Sequence, residues 1–137
     1  KEVTDISYGG DIMISNVVAQ DCDSLASIII TGMKDEPLRN ITLQNISIEY
    51  RGGGEAALRD KAYREQGTNY PEPRWAGPTP AYGLFARHVD GLRARDVHFS
   101  TLRPDYRHRV ILENVGRADL QNITGPVEKG AKALVQR

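Results

Sequence analysis

One short pattern returns four times along this chain and constrains its fold more than any other feature. It reads apolar, any, apolar, any, Asn or Asp, apolar. The copies begin at Ile12, Ile41, Leu92 and, more weakly, Ala118, so the intervals are 29 (41−12), 51 (92−41) and 26 (118−92) residues. A period of this size with one long insertion is typical of a solenoid, in which each repeat buries its apolar face against its neighbours. We therefore expect these four residues to stack as one inward ladder.

A second strand signal accompanies each repeat. Residues 27–31, 82–87 and 110–112, and more weakly 133–135, are short, apolar or alternating segments bounded by turn residues. Two or three short strands per repeat, without a helical period, predict an all-β fold. The expected architecture is a parallel β-helix of about four coils, forming a single domain over residues 1–137 with one insertion at about 51–80.

The polar residue of each repeat has two interpretations. Asn16, Asn45, Asp96 and Asn122 precede an apolar residue at one repeat position. There, Asn or Asp accepts left-handed geometry and bonds nearby backbone, and stacked Asn side chains bond along the ladder. Asn40, Asn45 and Asn122 also open glycosylation sequons, but their repeat placement favours the structural interpretation.

The insertion has its own signals. Residues 55–66 place apolar residues among charges, which fits a short amphipathic helix. Residues 70–80 combine prolines with Arg74 and Trp75. These two side chains are suited to stacking on a sugar face and holding a uronate carboxylate. The alternative is a flap that packs its aromatic residues on the outside of the solenoid and shields apolar surface.

Composition excludes several function classes. The 18 basic and 18 acidic residues balance, so nothing global indicates nucleic acid or an anionic membrane as partner. The longest apolar run, Ile28 to Ile30, is far too short to span a bilayer. Cys22 is the only cysteine, and the histidines have no ligand spacing, so we expect no metal and no cofactor. Because the chain starts inside a repetitive pattern, we also expect it to be a piece of something longer.

Carboxylates for glycoside hydrolysis are poorly supported. The reaction needs two carboxyl groups flanking the scissile bond, whereas Asp-rich turns between strands are ordinary, so we predict no catalytic residue. The candidate pairs are Asp21 with Asp23, Asp35 with Glu36, and Glu65 with Glu72. The adjacent Arg87 and His88, directly after a predicted strand, are the best candidates for contact with an anionic ligand.

Several segments resemble a known family. They are residues 41–50 with the glycines at 52–54, residues 70–73, residues 80–83 and residues 87–89. Their order and spacing are similar to the C-terminal part of bacterial proteins of glycoside hydrolase family 28, the polygalacturonase family. The resemblance implies a right-handed parallel β-helix from a secreted or periplasmic enzyme that acts on pectin-like acidic polysaccharide.

The catalytic motifs of that family are missing. Family members carry Asn-Thr-Asp, Asp-Asp, Gly-His-Gly and Arg-Ile-Lys motifs, and none occurs here. We therefore expect the chain to form the C-terminal coils of a polygalacturonase-like enzyme, completing the solenoid and lining the substrate cleft. The expected substrate-binding residues are Arg74, Trp75, Tyr82, Arg87 and His88.

Other functions remain open at this point. One is a non-catalytic carbohydrate-binding or assembly β-helix module. Another is an active lyase or hydrolase that uses an unrecognised site such as Asp21, Asp23 and Arg87. The isolated chain is expected to self-associate, because a coil end with unpaired strand edges and apolar residues around Ile6, Ile12 and Ile14 is a template for pairing.

Overall fold

The computed structural model describes residues 9–65 and 76–137. Its strands are β1 (Gly10–Cys22), β2 (Ile28–Thr31), β3 (Leu38–Gly52), β4 (Ala81–Arg103), β5 (His108–Thr124) and β6 (Leu134–Gln136). They form one sheet in the order β1-β3-β4-β5-β6, with β2 also paired to β4. Every strand pairing is parallel. The predicted all-β class is therefore confirmed for this part of the chain.

The strand register follows the sequence repeat. Ile12 pairs with Ile41, Ile41 with Leu92, and Leu92 with Ala118. The predicted stack of these four residues is confirmed. The 51-residue interval is also explained, because the insertion lies between β3 and β4 while the two strands remain direct neighbours in the sheet.

The Asn or Asp of each repeat changes the direction in which side chains face. On β3 the buried positions are Ile41 and Leu43 before Asn45, and Ile46 and Tyr50 after it. Simple alternation would keep odd numbers on one face, so the phase changes at Asn45. The equivalent residues Asn16, Asn45, Asp96 and Asn122 have φ between 54° and 58°. This left-handed conformation bends each strand while keeping apolar residues on the core side.

Side-chain hydrogen bonds join these polar residues in pairs. Asn45 Nδ2 donates to Asn16 Oδ1 at 2.8 Å, and Asn122 Nδ2 donates to Asp96 Oδ1 at 2.7 Å. Among the residues described, Asp96 and Asn45 share no such bond, because an ionised carboxylate has no proton to donate. Asn40 Nδ2 likewise donates to Asp11 Oδ1 at 3.0 Å. The predicted ladder is confirmed, with one break at Asp96.

Replacing Asp96 with Asn should close that break. The new amide would donate to Asn45 and still accept from Asn122. We expect the free energy of unfolding to rise by about 0.5–1 kcal/mol, the usual net value of one hydrogen bond. Chemical denaturation measures this change, with Asp119→Asn as control, since it removes the same charge from β5 away from the ladder. A less stable Asp96→Asn variant would contradict the ladder argument.

The core lies on the inward side of the sheet. It contains Leu43, Leu84, Leu92, Val97 and the aromatic residues Tyr50, Tyr82 and Phe99, together with their neighbours. Tyr50 is satisfied inside it, because its hydroxyl accepts from the Ile28 N–H at 3.1 Å and donates to the Gly83 carbonyl at 3.0 Å. The loss of solvation on burial raises the pKa of Tyr50.

A second, smaller apolar cluster covers the opposite face of β4 and β5. Phe85 and Ile111 are fully buried there, together with Ala81. Their cover comes from the insertion, whose Tyr63 packs its ring 5.0 Å from that of Phe85 at an angle of 61°. For its described residues, the insertion therefore shields apolar surface on the outside of the sheet, while residues 70–75 of the predicted flap lie outside the described residues.

The predicted amphipathic helix over residues 55–66 is wrong in type and extent. A single 3₁₀ helix, Ala56–Asp60, has no buried residues. The Glu55 side chain makes no capping hydrogen bond at the start of this helix, and the backbone is extended again at Lys61. Without a buried stripe, short helices gain little from packing. The apolar residue that does pack is Tyr63, which lies beyond the helix.

Candidate functional site

The predicted basic pair lies where β4 meets the insertion. Arg87 and His88 are in the central part of β4, and both are buried. The neighbouring strands are β2 and β5, since Arg87 pairs with Thr31 on one side and Glu113 on the other. Residues Tyr63 to Glu65 of the insertion cover them. The cluster formed by Tyr63, Glu65, Arg87, His88 and Asn114 is called the anchor cluster here.

Both terminal nitrogens of Arg87 are engaged by its own chain, whereas its buried Nε makes no hydrogen bond among the described residues. Its Nη1 donates to the Tyr63 carbonyl at 2.6 Å, and its Nη2 donates to the Arg64 carbonyl at 3.0 Å. Its guanidinium carbon lies 5.6 Å from the Tyr63 ring centroid and 5.4 Å from that of Phe85, within cation–π range. The Nε atom is 3.7 Å from Glu65 Oε1, an ion-pair distance. Burial raises the pKa of the Tyr63 phenol, and the Arg87 charge opposes this.

His88 links the same segment to β5. The Asn114 amide donates to His88 Nδ1 at 2.8 Å, which leaves Nε2 to donate to Glu65 Oε1 at 2.9 Å. Both His88 and Asn114 have a left-handed φ, 55° and 50°. They therefore repeat, at another corner of the sheet, the stacked polar turn seen at Asn45. Glu65 and Asn114 are the exposed members of the cluster, and 61% of the Glu65 side chain is accessible.

The anchor cluster holds the insertion against the sheet. Asp90, the acidic residue nearest to Arg87 along β4, accepts from Arg117 Nε at 3.0 Å and is not the partner of Arg87. The partners observed are instead two backbone carbonyls and Glu65. Lys61 adds a tie within the insertion, since its Nζ donates to the Ala76 and Pro78 carbonyls at 3.2 Å and 2.9 Å.

The other predicted binding residues are placed as follows. Tyr82 lies in the core with no exposed surface, and its hydroxyl donates to the Pro126 carbonyl at 2.7 Å. In this structure it therefore packs the interior and offers no surface to a ligand. Arg74 and Trp75 lie outside the described residues. A ligand contact by the predicted set stays a prediction.

Two of the candidate carboxylates, Asp21 and Asp23, accept hydrogen bonds from their own chain. Asp21 accepts from Arg51 Nε at 2.9 Å across adjacent strands, and the Arg51 charge holds the pKa of that carboxyl below its usual range. Asp23 accepts from the Leu25 N–H at 2.9 Å, as a turn residue does. Within residues 9–65 and 76–137, no group of three His, Cys, Asp or Glu side chains is arranged to hold a metal ion.

A polar surface that the sequence analysis did not single out faces outward from the repeat strands. We call it the arginine face, and its members are Thr42, Gln44, Arg93, Arg95, Asp119 and Gln121, which pair across β3, β4 and β5. Arg93 and Arg95 are exposed. A shallow depression of about 240 Å³ is lined by Arg93 together with Asn40 and Arg117.

Arg93 and Arg95 are chemically suited to anions. They alternate with the buried Leu92 and Ala94, so both point away from the core and lie roughly 7 Å apart along the strand. Within the described part of the chain, neither Arg93 nor Arg95 makes a side-chain hydrogen bond or an ion pair. A guanidinium donates two parallel hydrogen bonds to a carboxylate. The repeat pattern carried the signal for this face, because the unspecified positions of each copy are the outward ones.

Comparison with known proteins finds no matching family model, no matching curated protein and no matching solved structure. Among the described residues, no helix has the length and apolar character that crossing a membrane requires.

Proposed function

We propose that the chain is a section of a right-handed parallel β-helix, in which the single sheet winds through successive coils. The register carries this proposal, since equivalent repeat positions pair in parallel across intervals of 29, 51 and 26 residues (41−12, 92−41 and 118−92). The bends at Asn45 and its equivalents also support it, because a flat sheet does not require the inward and outward alternation of side chains to shift at every repeat.

The proposed role is that of coils in a polygalacturonase-like glycoside hydrolase from a secreted or periplasmic setting. These coils complete the solenoid and contact a pectin-like acidic polysaccharide, without catalytic carboxylates of their own. The partnered carboxylates Asp21 and Asp23 support this division of labour. The arginine face is the surface proposed to meet the polysaccharide, because Arg93 and Arg95 are exposed guanidinium groups with free donors.

Titration calorimetry with oligogalacturonate at low salt tests the contact. We expect the Arg93→Gln, Arg95→Gln double variant to bind roughly fivefold or more weakly, since paired charge-assisted bonds are lost. The matched control is Lys34→Gln with Lys129→Gln, which removes two exposed charges elsewhere. A fully methyl-esterified oligomer presents the same sugar without charge and should bind weakly to every variant. Equal affinity for both oligomers would contradict the proposal.

The same chain should release no reducing ends from polygalacturonate. The reason is that the family's four catalytic motifs are absent from the sequence. Turnover that disappears in Asp21→Asn or Asp23→Asn would overturn this and restore the unrecognised-site alternative.

The second candidate function is a non-catalytic carbohydrate-binding or assembly β-helix module. Among residues 9–65 and 76–137, the unpaired sides of β1 and of residues 115–124 favour its assembly form. Binding of oligogalacturonate distinguishes the polysaccharide-contacting roles from assembly alone.

A further inference from the structure

The first edge of the sheet is apolar and has an open core beside it. Among the described residues, β1 pairs on one side only, with β3. Ile12 is 44% exposed and Ile14 is 42% exposed, although their repeat equivalents on β3 and β4 are buried. They line a cavity of about 390 Å³ together with Ile29, Ile30 and Leu38. An exposed edge with an apolar side is a template for another strand.

The opposite end of the sheet presents a matching edge. The described strands leave one side of residues 115–124 of β5 unpaired, because β6 pairs only with Val110 to Leu112. The edge carries Ala118, Leu120 and Ile123, which are half-buried and pack on the core. The strands β2 and β6 form the second part of this match. They are the two ends of one row of paired strands, in which, among the described strands, β2 pairs only with β4 and β6 pairs only with β5.

We propose that, in the isolated chain, a second copy docks on β1 and β2 through its own β5 and β6, head to tail and in the register of the repeat, where a longer β-helix would place a further coil. The observed pairing places Ala118 of the added copy beside Ile12 and Leu120 beside Ile14, as Leu92 and Ala94 lie beside Ile41 and Leu43. In the other row, Leu134 would lie beside Ile28. The docked copy would cover the cavity.

The turn residues Asn16 and Asn122 favour a second copy as the partner and the head-to-tail orientation. Asn16 accepts from Asn45, and the described structure gives its own amide no acceptor. Asn122 donates to Asp96, and its carbonyl oxygen has no partner among the described residues. Stacking Asn122 beside Asn16 therefore continues the ladder in its existing direction.

The second corner is complementary in charge. Asp11 accepts a hydrogen bond from Asn40 Nδ2 and, among the described residues, its side chain has no second hydrogen-bond donor. Arg117, whose Nε donates to Asp90 Oδ1 at 3.0 Å, occupies the equivalent corner at the other end, and 68% of its side chain is exposed. Head-to-tail stacking brings this cation beside Asp11. Head-to-head pairing of two β1 strands would be antiparallel and would break both ladders. A head-to-tail contact does not close on itself, so linear oligomers form.

Sedimentation velocity over a concentration series tests the docking. The wild-type chain should pass from monomer to a ladder of oligomers. Ile14→Lys blocks β1 with a charge on the core side, and Leu134→Lys, at a residue 40% exposed, blocks β6. Each variant should require a concentration at least roughly tenfold higher to associate, because an inward charge prevents edge pairing. Leu102→Lys is the control, since it places the same charge on an exposed residue of β4, away from the contact.

Mixing the two blocked variants decides the polarity. Ile14→Lys keeps a sound β5 and β6 edge, and Leu134→Lys keeps a sound β1 and β2 edge. A head-to-tail contact therefore produces a 1:1 heterodimer that grows no further. Self-dimers of Leu134→Lys, with no gain on mixing, would mean head-to-head pairing and overturn the proposal, as would a wild-type chain that stays monomeric. Circular dichroism confirms that each variant is folded. Failure of oligogalacturonate binding leaves this inference unaffected, because no residue of the arginine face is changed.

Discussion

Replacing Arg107 with Met should lower the free energy of unfolding by about 3–5 kcal/mol, the usual cost of leaving one member of a buried ion pair alone. Arg107 is 1% exposed and Asp105 is 2% exposed. Arg107 Nη2 donates to Asp105 Oδ2 at 2.7 Å, and Nε donates to Oδ1 at 2.9 Å. Nη1 reaches the Thr79 carbonyl at 3.3 Å. The pair therefore joins the β4–β5 connection to the end of the insertion.

Urea unfolding of three variants measures this effect. Arg51→Met is the matched control, because it removes an Arg from the exposed ion pair with Asp21 and should change stability little. The double variant Arg107→Met, Asp105→Leu should recover part of the loss, since it leaves no buried charge unpaired. An Arg107→Met chain as stable as wild type would show that the pair is dispensable.

The same pair gives a pH dependence of known sign. Burial pushes the pKa of Asp105 up, but the hydrogen bonds and charge of Arg107 outweigh it and hold the pKa below 3.8, its ordinary value. The stabilising contribution of Asp105 is therefore complete above that pH and is lost as the pH falls through the lowered pKa. The double variant should lose less stability than wild type over this acid range.

The repeat residues made the strand register predictable, whereas the buried pair was not. Four copies of one pattern specify which residues pair, because each copy buries the same positions. Asp105 and Arg107 flank Tyr106 between two strands and have the composition of an exposed turn. Their burial depends on Gly54, where a Cβ atom would lie 2.3 Å from Arg107 Nε and 2.4 Å from Asp105 Oδ1. A glycine distant in sequence carries no signal of what packs against it.

The anchor cluster was located by sequence, but its partners were not. Arg87 and His88 stand out as adjacent basic residues after a strand. The groups that engage Arg87 are the carbonyls of Tyr63 and Arg64, and any residue type supplies a carbonyl. Tyr82 is a second example. Its sequence alone suggests a sugar-binding aromatic residue, but the rings of Tyr50 and Phe99 pack against it in the core. Side-chain chemistry identifies candidates, and packing decides which of them face solvent.

Replacing Arg87 with Lys should lower the free energy of unfolding by about 2 kcal/mol, because hydrogen bonds made by a charged group are worth about 1.5–3 kcal/mol. A lysine ammonium cannot reproduce the planar fork that reaches two carbonyls and lies beside both the Tyr63 and Phe85 rings. The insertion should loosen with it. Limited proteolysis should therefore cut near residues 61–65 faster in the variant.

Affinity for oligogalacturonate separates the two roles considered for Arg87. If Arg87 anchors the insertion, Arg87→Lys lowers the melting temperature and leaves affinity unchanged at a fixed salt concentration. If Arg87 binds the sugar directly, affinity falls by roughly tenfold, which corresponds to about 1.4 kcal/mol, while the melting temperature is kept. Arg103→Lys is the matched control, an exposed arginine on the same strand and outside the arginine face. The hydrogen bonds to Tyr63 and Arg64 favour the anchoring role, since they use both terminal nitrogens of the guanidinium and leave a ligand no open fork.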